Sequence, residues 1–169
     1  MKWRKPLGCL IVAVGLSAFG AAHADSSAPP SEEEIALAEE TCDLMTNTVV
    51  AALLQEIDET TPDNAAQGSR SISLIFNDRN HDIRLVGTVD PVSDNDYPED
   101  GFEALALGNA MTGAPTESVE RVEGKWMLRR SIPLSNFASQ CAMCHQSFAG
   151  MGANEWVGAL MLRVPIEAD

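Results

Sequence analysis

Apolar residues at Ile35, Ala38, Cys42, Met45, Val49 and Ala52 recur at steps of three and four, and Leu53 and Ile57 extend the same side. That spacing puts one continuous buried stripe on an α-helix. Ser31 and Glu34 stand where a capping box forms, with acidic residues in the first turn, and Thr61-Pro62-Asp63-Asn64 ends the pattern. The helix is therefore predicted to run to about Asp58 and to measure about 40 Å at the usual rise. Such a helix spans a small domain from end to end.

Beyond this turn the apolar period changes to two. Residues 71–76 read as a strand, 77–82 as a polar turn and 83–89 as a second strand. Residues 90–100, rich in Pro, Asp and Asn, read as a surface loop leading into a short helix from about Glu99 to Ala110, with Gly108 weakening its end. After the break at Gly113-Ala114-Pro115, residues 118–122 and 125–133 form a hairpin around Gly124. Asn136 is the expected cap of a short helix through Phe148 that Gly150 and Gly152 end, and 156–164 is a last apolar strand. This order predicts an α+β fold, an antiparallel sheet of about five strands with helices on one side.

The chain has 169 residues, 11 Lys+Arg and 25 Asp+Glu, for a formal net charge of −14. Lys2, Arg4 and Lys5 precede an apolar run over 7–19, and Ala22-His23-Ala24 offers a small-x-small cleavage site. Residues 1–24 are thus expected to be a secretory signal peptide, 25–30 a short tether and 31–169 a single domain. Cys9 lies ahead of most of the apolar stretch, the wrong place for a lipoprotein processing site. No second apolar run of about 18 residues follows, so a periplasmic protein without a membrane span in its mature chain is expected. Its acidity argues against nucleic acid or an anionic membrane as partner and leaves a basic protein partner open.

Cys141-Ala142-Met143-Cys144-His145 is the motif that carries chemistry. CxxCH is the c-type haem attachment signature: two cysteines three apart on a helical turn can each form a thioether with a vinyl group, and the adjacent histidine can supply an imidazole to the iron. A disulfide between these cysteines would close a very small loop. A thioredoxin-like pair needs a strand-to-helix setting near the chain start, and a zinc site drawn from Cys42, Cys141, Cys144 and His81 or His145 lacks a second CxxC or His pair.

With Cys141 and Cys144 assigned to one covalent haem, Cys42 is left over in an exported chain. It reads either as a small buried hydrophobe on the core face of the long helix or as an iron ligand opposite His145, where a thiolate would lower the reduction potential. His81 and the methionines at 45, 111, 127, 143, 151 and 161 are the other candidates for that position, and an open iron is a further one. Trp126, Trp156, Phe102, Phe137 and Phe148 supply bulk for a pocket wall or a core.

The arrangement resembles the bacterial single-haem sensor domains with a PAS-like fold. The likeness lies in the long helix with Cys42, the strand over 71–76, the loop and acidic helix start from Asp90-Pro91-Val92 to Glu103, the paired strands ending at Pro133, the CxxCH, and the closing strand from Trp156. The family's Arg-Asn-Pro loop is Val89-Asp90-Pro91 here, and residues 77–88 form a longer segment. The resemblance implies one haem with His145 and Cys42 as its axial pair, and a PAS-like fold with a short haem-bearing helix near the C-terminus. A helical-bundle cytochrome of the c-prime kind also carries a late CxxCH, but the strand periodicity in the middle of this chain speaks against it.

The expectation is therefore an exported monohaem protein that senses redox state or a small ligand, acting through a separate partner. A periplasmic electron carrier is the alternative. An enzyme would need acid-base groups around an open iron, and His81 is the one histidine remaining for that, so no catalytic residue is assigned.

Overall fold

A computed structural model describes residues 28–76, 82–87, 89, 91 and 93–167. The segment expected to direct export lies outside them, as does His81. The long helix forms as its sequence predicts: α1 covers Glu32–Glu59, the backbone N–H of Glu34 donates to Ser31 Oγ at 3.3 Å, and the Ser31 N–H donates back to the Glu34 carboxylate. Two of the orphan donors of the first turn are thereby satisfied.

Residues 71–76 belong to a second helix, α2 (Ala65–Phe76), which buries Gly68 and Phe76 while Leu74 stays exposed. Ser71-Ile72-Ser73-Leu74 alternates like a strand, yet over the whole segment Ala65, Gly68, Ile72, Ile75 and Phe76 repeat at helical steps. A short apolar run does not separate the two periods, and the longer window does.

The sheet therefore has four strands: β1 (Ile83–Gly87), β2 (Thr116–Val122), β3 (Lys125–Ser135) and β4 (Trp156–Pro165), in the order β1-β4-β3-β2 with antiparallel pairing throughout. Between β1 and β2 lies α3 (Gly101–Ala110), capped by Asp100, whose carboxylate accepts the Glu103 N–H at 3.0 Å. Helices cover both faces rather than one. Leu160, Leu162 and Val164 of β4 join Ala38, Cys42, Val49 and Leu53 of α1 and Phe76 of α2 on one side. Ala159 and Met161 join Ala106, Leu107 and Ala110 of α3 on the other.

Coverage on both faces explains why β4 reads as a nearly unbroken apolar run. Burying a leucine such as Leu160 or Leu162 contributes about 1.5–3 kcal/mol. At the end of the β1–β4 ladder Gly87 faces Gly158. A Cβ on Gly158 would stand 2.5 Å from the Val86 carbonyl oxygen, so glycine there lets the strands approach. No helix among the described residues is long and apolar enough to cross a membrane.

Candidate cofactor site

The CxxCH lies in the connection from β3 to β4. Asn136 closes the base of that loop: its N–H donates to the Glu155 carbonyl at 2.8 Å, and its carbonyl accepts the Asn154 N–H at 3.3 Å. Its side-chain amide donates to the carbonyls of Phe148 and Met151 at 3.4 and 3.5 Å. Asn136 is thus a brace across the loop and not the helix cap that its position suggests. The helix itself is a single turn, α4 (Cys141–Cys144), followed by a 3-10 segment over Gln146–Gly150.

His145 joins these two pieces. Its N–H donates to the Cys141 carbonyl at 2.9 Å, and its ring stacks on Phe148 with centroids 4.6 Å apart and planes 14° from parallel. Phe148 is buried, so the imidazole rests on a fixed surface. Cys141, Cys144 and Cys42 are all free thiols. Cys144 Sγ is 3.8 Å from the Ala65 carbonyl at the start of α2. Burial pushes the Cys141 thiol up from its ordinary value and neighbouring Cys144 adds to this, against hydrogen bonds with the backbone.

Both cysteines and His145 line one cleft, with a cavity volume of about 160 Å³. Its walls are Leu53 and Ile57 from α1, Ile72 from α2, Leu85 and Val86 from β1, Leu134 from β3, and Phe137 and Phe148 from the loop. Thr60, Ser69, Ser73, Asp96, Ser135 and Gln140 bring the polar side chains. A mostly apolar recess with a few convergent polar groups is the usual form of a cofactor site.

The structure does not bring Cys42 to this cleft. Leu53, the nearest lining residue of α1, is eleven positions further along, about 16 Å at the helical rise. α1 runs in the same sense as β3: the Trp126 indole N–H donates to the Ala28 carbonyl, Asp43 meets Arg130, and Leu53 shares the cleft with Leu134 and Ser135. Cys42 therefore sits at the level of Arg130, fully buried in the core. Burial raises its thiol pKa, against the opposing charge of Arg130. Among the described residues, no methionine lines the cleft. Met127 and Met161 are buried at other core positions.

Cys141 and Cys144 form no disulfide. With Cys42 remote, the four-ligand zinc set does not assemble, and among the described residues no group of three or more His, Cys, Asp and Glu side chains converges as a metal cage. Of the aromatic residues, Phe137 and Phe148 face the cleft, whereas Trp156 packs beside Gly113 and Phe102 lies 4.3 Å below the Arg129 guanidinium.

A buried charge network next to the cleft escaped the sequence reading. Arg84 on β1 donates to Glu103 at 2.7 Å and pairs with Glu99 at 3.0 Å, and it also donates to the carbonyls of Asn95 and Tyr97 at 2.6 and 3.0 Å. Arg129 on β3 pairs with Asp100 and Glu120 at 2.7 and 2.8 Å. Glu103 shares a helix face with Ala106, Leu107 and Ala110, and all of them are buried. A carboxylate on an otherwise apolar helical stripe was the available signal, since such a group is retained only when paired. Comparison with known proteins finds no matching family model and no matching curated protein.

Proposed function

We propose that this chain is an exported single-haem c-type protein whose role is to sense redox state or a small ligand. One observation carries the reading: Cys141, Cys144 and His145 line one mostly apolar cleft between α1, α2, β1 and the β3–β4 loop. The donor set fits the group. Two thiols on one helical turn would hold it covalently, and the imidazole, supported by Phe148, would bind its iron. The bound group would supply a redox-active iron able to bind a small ligand.

The chain's own contribution is then distinct. Leu53, Ile57, Ile72 and Leu85 give the cleft its apolar wall. Asn136 fixes the loop so that His145 keeps its direction. Thr60, Ser69, Ser73, Asp96 and Ser135 bring oxygen atoms to the cleft lining. A weak or exchangeable sixth position suits sensing, since its occupancy can shift a conformational equilibrium. A PAS-like sensor architecture, acting on a separate partner, belongs to this proposal.

A carrier reading draws on Phe137 and Met143, both exposed beside the motif, where a partner protein could dock. Absorption spectra of the exported protein, oxidised and reduced, before and after carbon monoxide, separate the two. Covalently retained haem that binds carbon monoxide on reduction is expected. A reduced spectrum indifferent to carbon monoxide would favour the carrier, and the absence of retained haem would overturn both.

A further inference from the structure

We propose that Arg84 is the positioning residue of the cleft, tying the Asn95–Tyr97 turn to β1 so that Asp96 is held in the cleft wall. The inference rests on the cofactor-site reading for its consequence, though not for its geometry. Arg84 is 2% exposed, and the three residues after it, Leu85, Val86 and Gly87, all line the cleft. Its guanidinium reaches out of β1 to the carbonyls of Asn95 and Tyr97, the residues on either side of Asp96. Asp96 is itself 7% exposed, lines the cleft, and accepts the Ser93 N–H at 2.9 Å.

The remaining donors of the fork explain why arginine is suited to this place. Arg84 pairs with Glu103 on α3, whose carboxylate also accepts the Glu99 N–H at 2.8 Å. One planar group thus joins a strand, a turn and the first turn of a helix, which the single ammonium of lysine cannot match. Arg129 is the natural control. It is nearly as buried and shares Glu103 with Arg84, at 3.9 Å, but its partners Asp100, Glu103, Glu120 and Phe102 do not line the cleft.

The test compares Arg84→Met with Arg129→Met in the full haem-loaded protein. Two quantities are read: backbone amide exchange at Asn95–Tyr97, and the binding of added imidazole to the ferric form. Arg84→Met is expected to speed exchange at the turn and to alter imidazole affinity, each by about tenfold, because the turn spends more time away from β1. Arg129→Met should leave both within about twofold while lowering the melting temperature comparably. Equal effects in the two variants, or an Arg84→Met protein indistinguishable from wild type, would overturn the proposal. If Arg84→Met does not fold, Arg84→Lys takes its place, with an intermediate rise in exchange expected and a wild-type exchange rate overturning the idea. A wild-type protein without haem would sink the proposed function, but the exchange contrast would still judge Arg84.

Discussion

Replacing Cys42 with Ala separates its two possible roles by readouts that move independently. In the structure its side chain is fully buried among α1 and sheet residues, at the level of Arg130 and about 16 Å along the helix from the cleft. The substitution removes one sulfur atom from that core. The lost transfer energy of a methylene-sized group is about 0.8 kcal/mol, and a cavity of about 20 Å³ adds about 0.5 kcal/mol, so the cost is about 1–2 kcal/mol. For a chain of this size that lowers the melting temperature by about 2–8 °C. Thermal melts followed by circular dichroism would measure it, alongside the ferric absorption spectrum of the haem-loaded protein. The expected result is a lower melting temperature with an unchanged spectrum. A shift to a high-spin ferric form, with haem retained, would refute the reasoning and restore Cys42 as the ligand opposite His145.

Two further predictions concern the frame around the site. Gly113 has φ +82°, and a Cβ there would stand 2.7–2.9 Å from three atoms of the Trp156 indole, so Gly113→Ala should cost about 1–3 kcal/mol, measured by denaturant unfolding. A variant as stable as wild type would show that the Trp156 contact yields easily. Asp100 is the second case: burial pushes its pKa up, but hydrogen bonds from Arg129 and the Glu103 N–H, with the charges of Arg129 and Arg163, hold it below the usual 3.8. Its stabilising effect is therefore complete above that value and disappears as pH falls through the lower folded-state pKa. Asp100→Asn should melt below wild type near about pH 6, and the gap should close toward about pH 2.5, whereas a gap independent of pH would contradict this account.

The features legible in the sequence are those set by local rules. The Ser31–Glu34 box, the stripe on α1, the Gly124 turn of the hairpin and the CxxCH turn all depend on neighbours within a few positions. The strand expected over 71–76 failed because β preference reflects packing on a sheet as much as residue type, and α2 found its partners in α1 and the CxxCH turn instead. Helices on both sheet faces left one trace in the sequence, the nearly unbroken apolar run of β4, and the burial of Ala159 and Met161 beside α3 shows which helix forms the second layer.

The site divides in the same way. Cys141, Cys144 and His145 fall within five residues, so their spacing alone places them together. Cys42 had to be placed by the direction in which a long helix crosses the sheet, and periodicity fixes a face of that helix without fixing the height at which it meets a cleft. Arg84, Asp96 and Glu103 are brought together by a turn that no sequence pattern specifies.

The place of β4 in the sheet has a temporal consequence. It lies between β1 and β3, yet it is the last of the four strands in sequence among the described residues. A polypeptide emerging N-terminus first exposes Cys141 and Cys144 before the strand that unites the two halves of the sheet has arrived. During that interval the halves have no ladder to join them, and such non-local pairing forms late. Pairing of residues 156–165 with both neighbours is therefore the step that completes the sheet on which the cleft is built.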